Sequence, residues 1–107
     1  MPKNQYRFGR LKERKVAQRL RNTGASVKLS EGSKGPEDGT AIWPSGKKWL
    51  FQVKATREGS PSSPLPKDLG RLKQKATRKN ATPVVAGVFG SGKIEFKSAG
   101  TGQKLKP

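Results

Sequence analysis

The stretch from Asp38 to Ala55 constrains the fold more than any other part of the sequence. It reads as strand, turn, strand: Asp38 to Trp43, the turn Pro44-Ser45-Gly46-Lys47, then Lys48 to Ala55. Side chains alternate along a strand, so Trp49, Phe51, Val53 and Ala55 share one face of the second strand and Leu50, Gln52 and Lys54 the other. The first set is apolar and belongs against a core. The second sets an amide and an ammonium side by side on a strand that reads as central. They are either the wet face of an ordinary half-exposed hairpin or part of a site.

The rest of the chain supplies the partners of that hairpin. Upstream, residues 6–22 have helical spacing, with Leu11, Val16, Ala17 and Leu20 near one stripe and basic residues elsewhere, and Gly24 stands where a C-cap would end the helix. Ala25 to Leu29 is a short strand, and residues 30–37 are a loop by composition. Downstream, residues 57–66 hold Gly59, three prolines and three serines with no apolar period, a flexible loop. Asp68 is the expected N-cap of a helix reaching about Asn80, with Leu69, Leu72 and Ala76 on one face. Pro83 to Phe89 is a compact apolar run, a buried strand, and Gly90-Ser91-Gly92 turns it into an edge strand at 93–97. The order is α-β-β-β-α-β-β, and the helix between the third and fourth strands requires a right-handed crossover. The predicted class is α/β, a mixed central sheet flanked by helices, as one domain over residues 1–97 with a polar, flexible tail at 98–107.

Charge narrows the partners. Among 107 residues there are 24 Lys or Arg and 7 Asp or Glu, a net charge of +17. A polyanion is the natural partner, and nucleic acid leads because neutralised phosphates release counterions. The chain has no Cys and no His, which excludes disulfides, thiolate zinc sites, Ser-His triads and imidazole ligands. An enzyme built from it must use carboxylates, amides, lysine and a hard cation such as Mg²⁺. No 18-residue apolar run exists, and Met1 to Arg7 lacks the apolar core of a signal peptide. The expectation is a soluble intracellular protein with no membrane partner.

The few acids are informative. Glu13 is the only one in the first 30 residues, and it lies four before Ala17 and seven before Leu20, along the apolar stripe. It is either the ion-pair partner of a neighbouring Arg or a carboxylate aimed into a site. A hairpin paired about residues 44–47 returns Asp38 towards Gln52 or Lys54.

With these residues on one face, the sequence resembles the PD-(D/E)XK nuclease superfamily, and within it the archaeal and viral Holliday junction resolvases. The resemblance runs from about Arg10 to Lys97. It rests on helical Glu13, the stretch Ser30-Glu-Gly-Ser-Lys-Gly-Pro-Glu-Asp38, the strand Gln52-Val-Lys-Ala-Thr56, and Asp68-Leu-Gly-Arg-Leu72 leading to the strand at 83–89. It implies a restriction-endonuclease-like fold and Mg²⁺-dependent phosphodiester hydrolysis, with Mn²⁺ as a substitute. Asp38, Gln52 and the Val53 carbonyl would hold the metal, with Glu13 as a further acidic contact. Lys54 would orient the attacking water and stabilise charge at phosphorus. The family's mobile loop corresponds to residues 30–34, so Ser30 or Ser33 either assists cleavage or belongs to an ordinary Gly/Ser loop. Branched DNA and a homodimer follow from the same resemblance, because a two-fold dimer presents two sites to a four-way junction.

Two departures stand out. The resolvase pattern has Glu-X-Lys where this chain has Gln52-Val53-Lys54, which leaves two carboxylates instead of three. The Mrr-like restriction group looks similar in carrying Gln at this place. A DNA-binding relative without cleavage, and a basic ribosomal or nucleoid-type protein, therefore stay open as alternatives. The second helix carries Lys73, Lys75, Arg78 and Lys79 where resolvases can carry aromatic residues, which either changes the dimer packing or hands that surface to DNA. Arg10, Arg14, Lys28, Ser30, Lys34, Arg57 and Arg71 are the expected DNA contacts, by phosphate more than by base. Trp49, Phe51, Phe89 and Phe96 are expected in the core or a dimer interface. Tyr6, Phe8 and Trp43 sit at element ends, within reach of DNA. The strand at 93–97 and the face around Val88 and Phe96 are candidate dimer surfaces.

Overall fold

The computed structural model describes residues 2–31 and 35–107, with side chains from Arg7 onward. Helix α1 spans Pro2–Arg21. Strands β1 (Ser26–Leu29), β2 (Gly39–Ile42) and β3 (Lys48–Ala55) follow, then helix α2 (Pro66–Arg78) and strands β4 (Thr82–Val88), β5 (Ile94–Ser98) and β6 (Lys104–Leu105). The six strands form one sheet in chain order. Only β3 and β4 run parallel, from Trp49 opposite Thr82 to Ala55 opposite Val88, and the other four pairs are antiparallel. A parallel pair cannot be joined by a tight turn, so α2 is the crossover. This is the mixed α/β sheet flanked by helices that the sequence pattern implies. No helix among the described residues is long and apolar enough to cross a membrane.

The alternation in β3 sorts the core into two layers. Trp49 and Phe51 pack with Val16 and Leu20 of α1, and with Val84, Ala86, Val88 and Phe96 of the neighbouring strands. Leu50, on the other parity, packs with Leu72 and Ala76 of α2. The second face of β3 is therefore not a wet hairpin face, because α2 covers its beginning. Burial of these side chains, at roughly 25 cal/mol per Å² of apolar surface, is what holds two strongly basic helices against the sheet. Gly39 lets β2 lie close on β3, since a Cβ there would overlap the Phe51 ring. Gly46 takes the left-handed backbone (φ 94°) that the β2–β3 turn requires.

Several expectations are corrected. Leu11 does not join the apolar stripe and is 60% exposed, because the stripe that docks is Val16, Ala17 and Leu20. Asp68 does not cap α2. Leu65 takes that position without a side-chain bond, and Pro66 opens the helix where its missing N–H costs nothing. Asp68 instead lies in the first turn, where a negative charge suits the helix dipole. Trp43 is not a surface aromatic: it is buried, donates from Nε1 to Thr23 Oγ1 at 2.9 Å, and meets Trp49 edge to face. Residues 98–107 are not a plain tail. Strand β6 pairs with β5, and Leu105 packs on the core. The strand at 93–97 thus loses its edge. Val88 and Phe96, buried within the chain, offer no surface to a second copy.

Candidate active site

Asp38 sits just before β2, in a short gap between strands. Its N–H donates to the Phe51 carbonyl at 2.7 Å, and its carbonyl accepts from the Ser30 N–H at 2.8 Å. With both backbone groups satisfied, the carboxylate is directed by one further contact: Val53 N–H donates to Asp38 Oδ2 at 2.7 Å. Strand β2 begins at Gly39, opposite Phe51, so Val53 lies past its end. A side-chain oxygen stands in for the missing strand carbonyl and anchors the acid to β3. What this geometry assigns to Val53 is its N–H, whereas the family resemblance assigned its carbonyl.

Glu13 comes to the same place from α1. Arg10 Nη1 donates to Glu13 Oε1 at 2.9 Å and to the Ser30 carbonyl at 3.3 Å. The helix is thereby tied to the segment that leads to Asp38. Both readings of Glu13 hold together, since it is paired with an arginine and also held near Asp38. Burial pushes the Glu13 carboxyl above its usual range, the Asp38 charge pushes it further, and Arg10 partly offsets both. Burial raises Asp38 as well. The Val53 N–H, the Lys54 ammonium and Arg10 pull it down, and Glu37 pushes it up.

The two β3 residues share the face of that strand that carries Leu50. Gln52 Oε1 is buried without a hydrogen-bond donor, which leaves a carbonyl-type oxygen of β3 with no partner. Lys54 leaves β3 on the Leu50 side and lines a cleft of about 310 Å³ with the Ser60–Pro64 segment, Leu69, Val85 and Phe89. Its charge still reaches Asp38. The donor set is all oxygen: two carboxylates whose ionisation burial opposes, and one orphaned amide oxygen. As donor types these suit a hard cation such as Mg²⁺, which between Glu13 and Asp38 would relieve their repulsion. Among the described residues no cluster of three or more Asp, Glu, His or Cys assembles.

The expected DNA contacts scatter more widely. Arg10 is engaged within the site, and Arg14 and Lys28 are exposed on α1 and β1. Ser30 contributes its backbone to Arg10 and Asp38. Ser33 and Lys34 lie outside the described residues, as does the side chain of Tyr6. Arg57 stacks its guanidinium 4.2 Å from the centre of the Phe8 ring, tying the loop after β3 to α1. Arg71 is exposed on α2, away from the carboxylates. One feature has no counterpart among the sequence expectations. Lys75 Nζ meets both Glu37 oxygens, at 3.0 and 2.7 Å, so α2 grips the residue next to Asp38. No sequence signal joins residues 37 and 75; the sheet brings them together.

No protein-family model matches the sequence, and no curated protein does. Solved structures do. Among them is Hjc, a Holliday junction resolvase of the archaeal hyperthermophile Archaeoglobus fulgidus, with a TM-score of 0.72 at 20% sequence identity over 89% of this chain and 82% of that one. The chain shares the fold of that archaeal resolvase.

Proposed function

We propose that the chain is a metal-dependent endonuclease that acts as a homodimer on branched DNA, in the manner of a Holliday junction resolvase. What supports this reading is the charge coupling of Glu13 to Asp38 and of Asp38 to Lys54, with the unpartnered Gln52 oxygen two residues from Lys54 on β3, in a +17 chain that shares its fold with a resolvase. Asp38, Gln52 and Glu13 would hold Mg²⁺, or Mn²⁺ in its place. Bound there, the cation supplies a water of lowered pKa and neutralises charge that develops on the phosphate. Lys54, whose charge already reaches Asp38, orients the attacking water and stabilises the extra negative charge as the oxygen–phosphorus bond forms and the opposite ester bond breaks. Val53 N–H and Arg10 hold the two carboxylates in position. A role on DNA implies a protein that works inside the cell.

A synthetic four-way junction with Mg²⁺ tests the reading. Paired symmetric nicks are expected, reduced at least about a hundredfold in Asp38→Asn and Lys54→Ala. Gln52→Glu is expected to cleave as well or better at low Mg²⁺, because it restores a charged ligand. Tight binding with no cleavage in Mg²⁺ or Mn²⁺ would favour the second reading, a DNA-binding relative that does not cut. The neutral side chain of Gln52 is the observation behind that alternative. Light scattering tests the homodimer, and a monomer at the working concentration would remove it.

A further inference from the structure

The site described above lies at the ends of β2 and β3 and takes one carboxylate from α1. Helix α2 contributes only Lys75 to it, through Glu37. The outer side of α2 is unaccounted for. Lys67, Arg71, Lys73, Arg78 and Lys79 are all exposed, and none makes an ion pair among the described residues. At 100° per residue, Lys67, Arg71 and Arg78 fall on one narrow outward stripe, opposite the buried Leu72 and Ala76. A face that served only solubility would mix signs. Here Lys67–Arg71, Arg71–Lys75 and Lys75–Lys79 are like charges four residues apart, a spacing that destabilises a helix. Lys48 Nζ caps the helix end on the Lys79 carbonyl at 3.2 Å and adds one more cation there.

A second observation lies on the same helix. Gly70 sits in the interior of α2, where glycine is far less favourable than alanine. A Cβ at Gly70 would meet nothing within 4 Å, so no contact within the chain requires its absence. The absence does let an external backbone approach the helix closely between the basic side chains. From Lys67 to Arg78 the stripe is about 17 Å long at 1.5 Å per residue. Duplex DNA carries about ten charges over that length.

We propose, building on the nucleic-acid reading of the charge but not on cleavage, that the outer face of α2 is a second DNA-binding surface. It grips the phosphate backbone of a duplex arm separate from the one at the Asp38 site. The site opens at the ends of β2 and β3, whereas this stripe looks outward from α2, so a single chain holds DNA at two separate places. On a branched substrate this lets the α2 face hold one arm while another is presented to the carboxylates.

The test is binding in EDTA, where cleavage plays no part. Dissociation constants for a linear duplex and a four-way junction are measured against salt for the wild type, for Arg71→Gln/Arg78→Gln, and for the charge-matched control Lys104→Gln/Lys106→Gln. The α2 variant is expected to lower the log–log salt slope by about 1.8 on the junction, at about 0.9 per lost phosphate contact. The control is expected to stay near the wild-type slope, and the α2 variant should fold with an unchanged circular dichroism spectrum. Gly70→Gln, which keeps every charge, is expected to weaken binding while the melting temperature holds or rises. Equal slopes for the α2 variant and its control would overturn the proposal, as would an α2 variant that changes oligomeric mass, since the face would then be a subunit interface. A surface for an acidic protein would leave the DNA slope untouched and would overturn it too. Failure of the nuclease reading looks different: binding and its α2 dependence persist, and no nicks form when Mg²⁺ is added.

Discussion

Helices α1 and α2 lie on opposite faces of one sheet, and each sets a basic surface over a short apolar stripe. Helix α1 docks with Val16, Ala17 and Leu20 and points one acid, Glu13, towards Asp38. Helix α2 docks with Leu72 and Ala76 on a smaller cluster, and its one acid lies in the first turn, away from the site. Each sends one cation to a carboxylate at the site: Arg10 to Glu13 and Lys75 to Glu37. The difference is that α1 places a carboxylate close to Asp38 while α2 only steadies the segment before Asp38. Positive charge alone therefore does not tell the two helices apart; the position of the few acids does.

Core truncation should break the comparison most strongly. Leu20→Ala is expected to cost towards the upper end of about 2–5 kcal/mol, and Leu72→Ala towards the lower end, because the α2 cluster is small and can collapse around the gap. Urea unfolding of both variants measures this, and equal losses would mean that the two helices are docked alike. Against a total of roughly 5–15 kcal/mol, Leu20→Ala leaves little margin.

The cation clamps come next. Lys75→Met leaves the largely buried Glu37 side chain without its partner, and a cost of about 1–3 kcal/mol is expected. Arg10→Met should cost less, because the Glu13 side chain is 19% exposed against 10% for Glu37 and can recover water. The reverse order in thermal melts would mean that α1, not α2, is the firmer clamp.

Metal-free stability against pH sharpens the same contrast. The folded pKa of Glu13 and of Asp38 lies above the ordinary values of 4.5 and 3.8. Over the window between ordinary and folded values, the folded state holds more protons than the unfolded one. Stability therefore falls as pH rises through that window and stays lowered above it. Asp38→Asn is expected to flatten this fall and to melt higher than the wild type near neutral pH in EDTA. Added Mg²⁺ should raise the wild-type melting temperature and leave Asp38→Asn unmoved. A wild type that gains stability with pH over this window would contradict the buried-carboxylate account. The smallest effect is expected at the two helix glycines, neither of which has a neighbour within 4 Å of a Cβ. Gly9→Ala and Gly70→Ala should each stabilise by up to about 1 kcal/mol, measured by the same melts.

Much of this was legible in the residues. The alternation of Trp49, Phe51 and Val53 against Leu50, Gln52 and Lys54 marks a central strand because backbone geometry imposes a period of two on any strand. The helical stripe around Val16 and Leu20, the turn at 44–47 and the crossover before the apolar run at 83–89 follow from equally local rules. The acids Glu13 and Asp38 stand out because acids are rare in this chain. What local rules could not carry is anything that depends on distance in space. Strand β6 and the burial of Trp43 arise only when the sheet is complete. The Glu37–Lys75 bridge joins residues 38 apart in sequence, the Phe8–Arg57 stack joins α1 to a loop, and the Asp38 bond to Val53 exists because β2 begins only at Gly39, opposite Phe51. Periodicity and charge are properties of the chain, so the sequence determined the α/β class, the strongly basic character and the candidate acids. Which face is covered, which oxygen is orphaned and which lysines are left outward are properties of packing, and only the tertiary structure decided them.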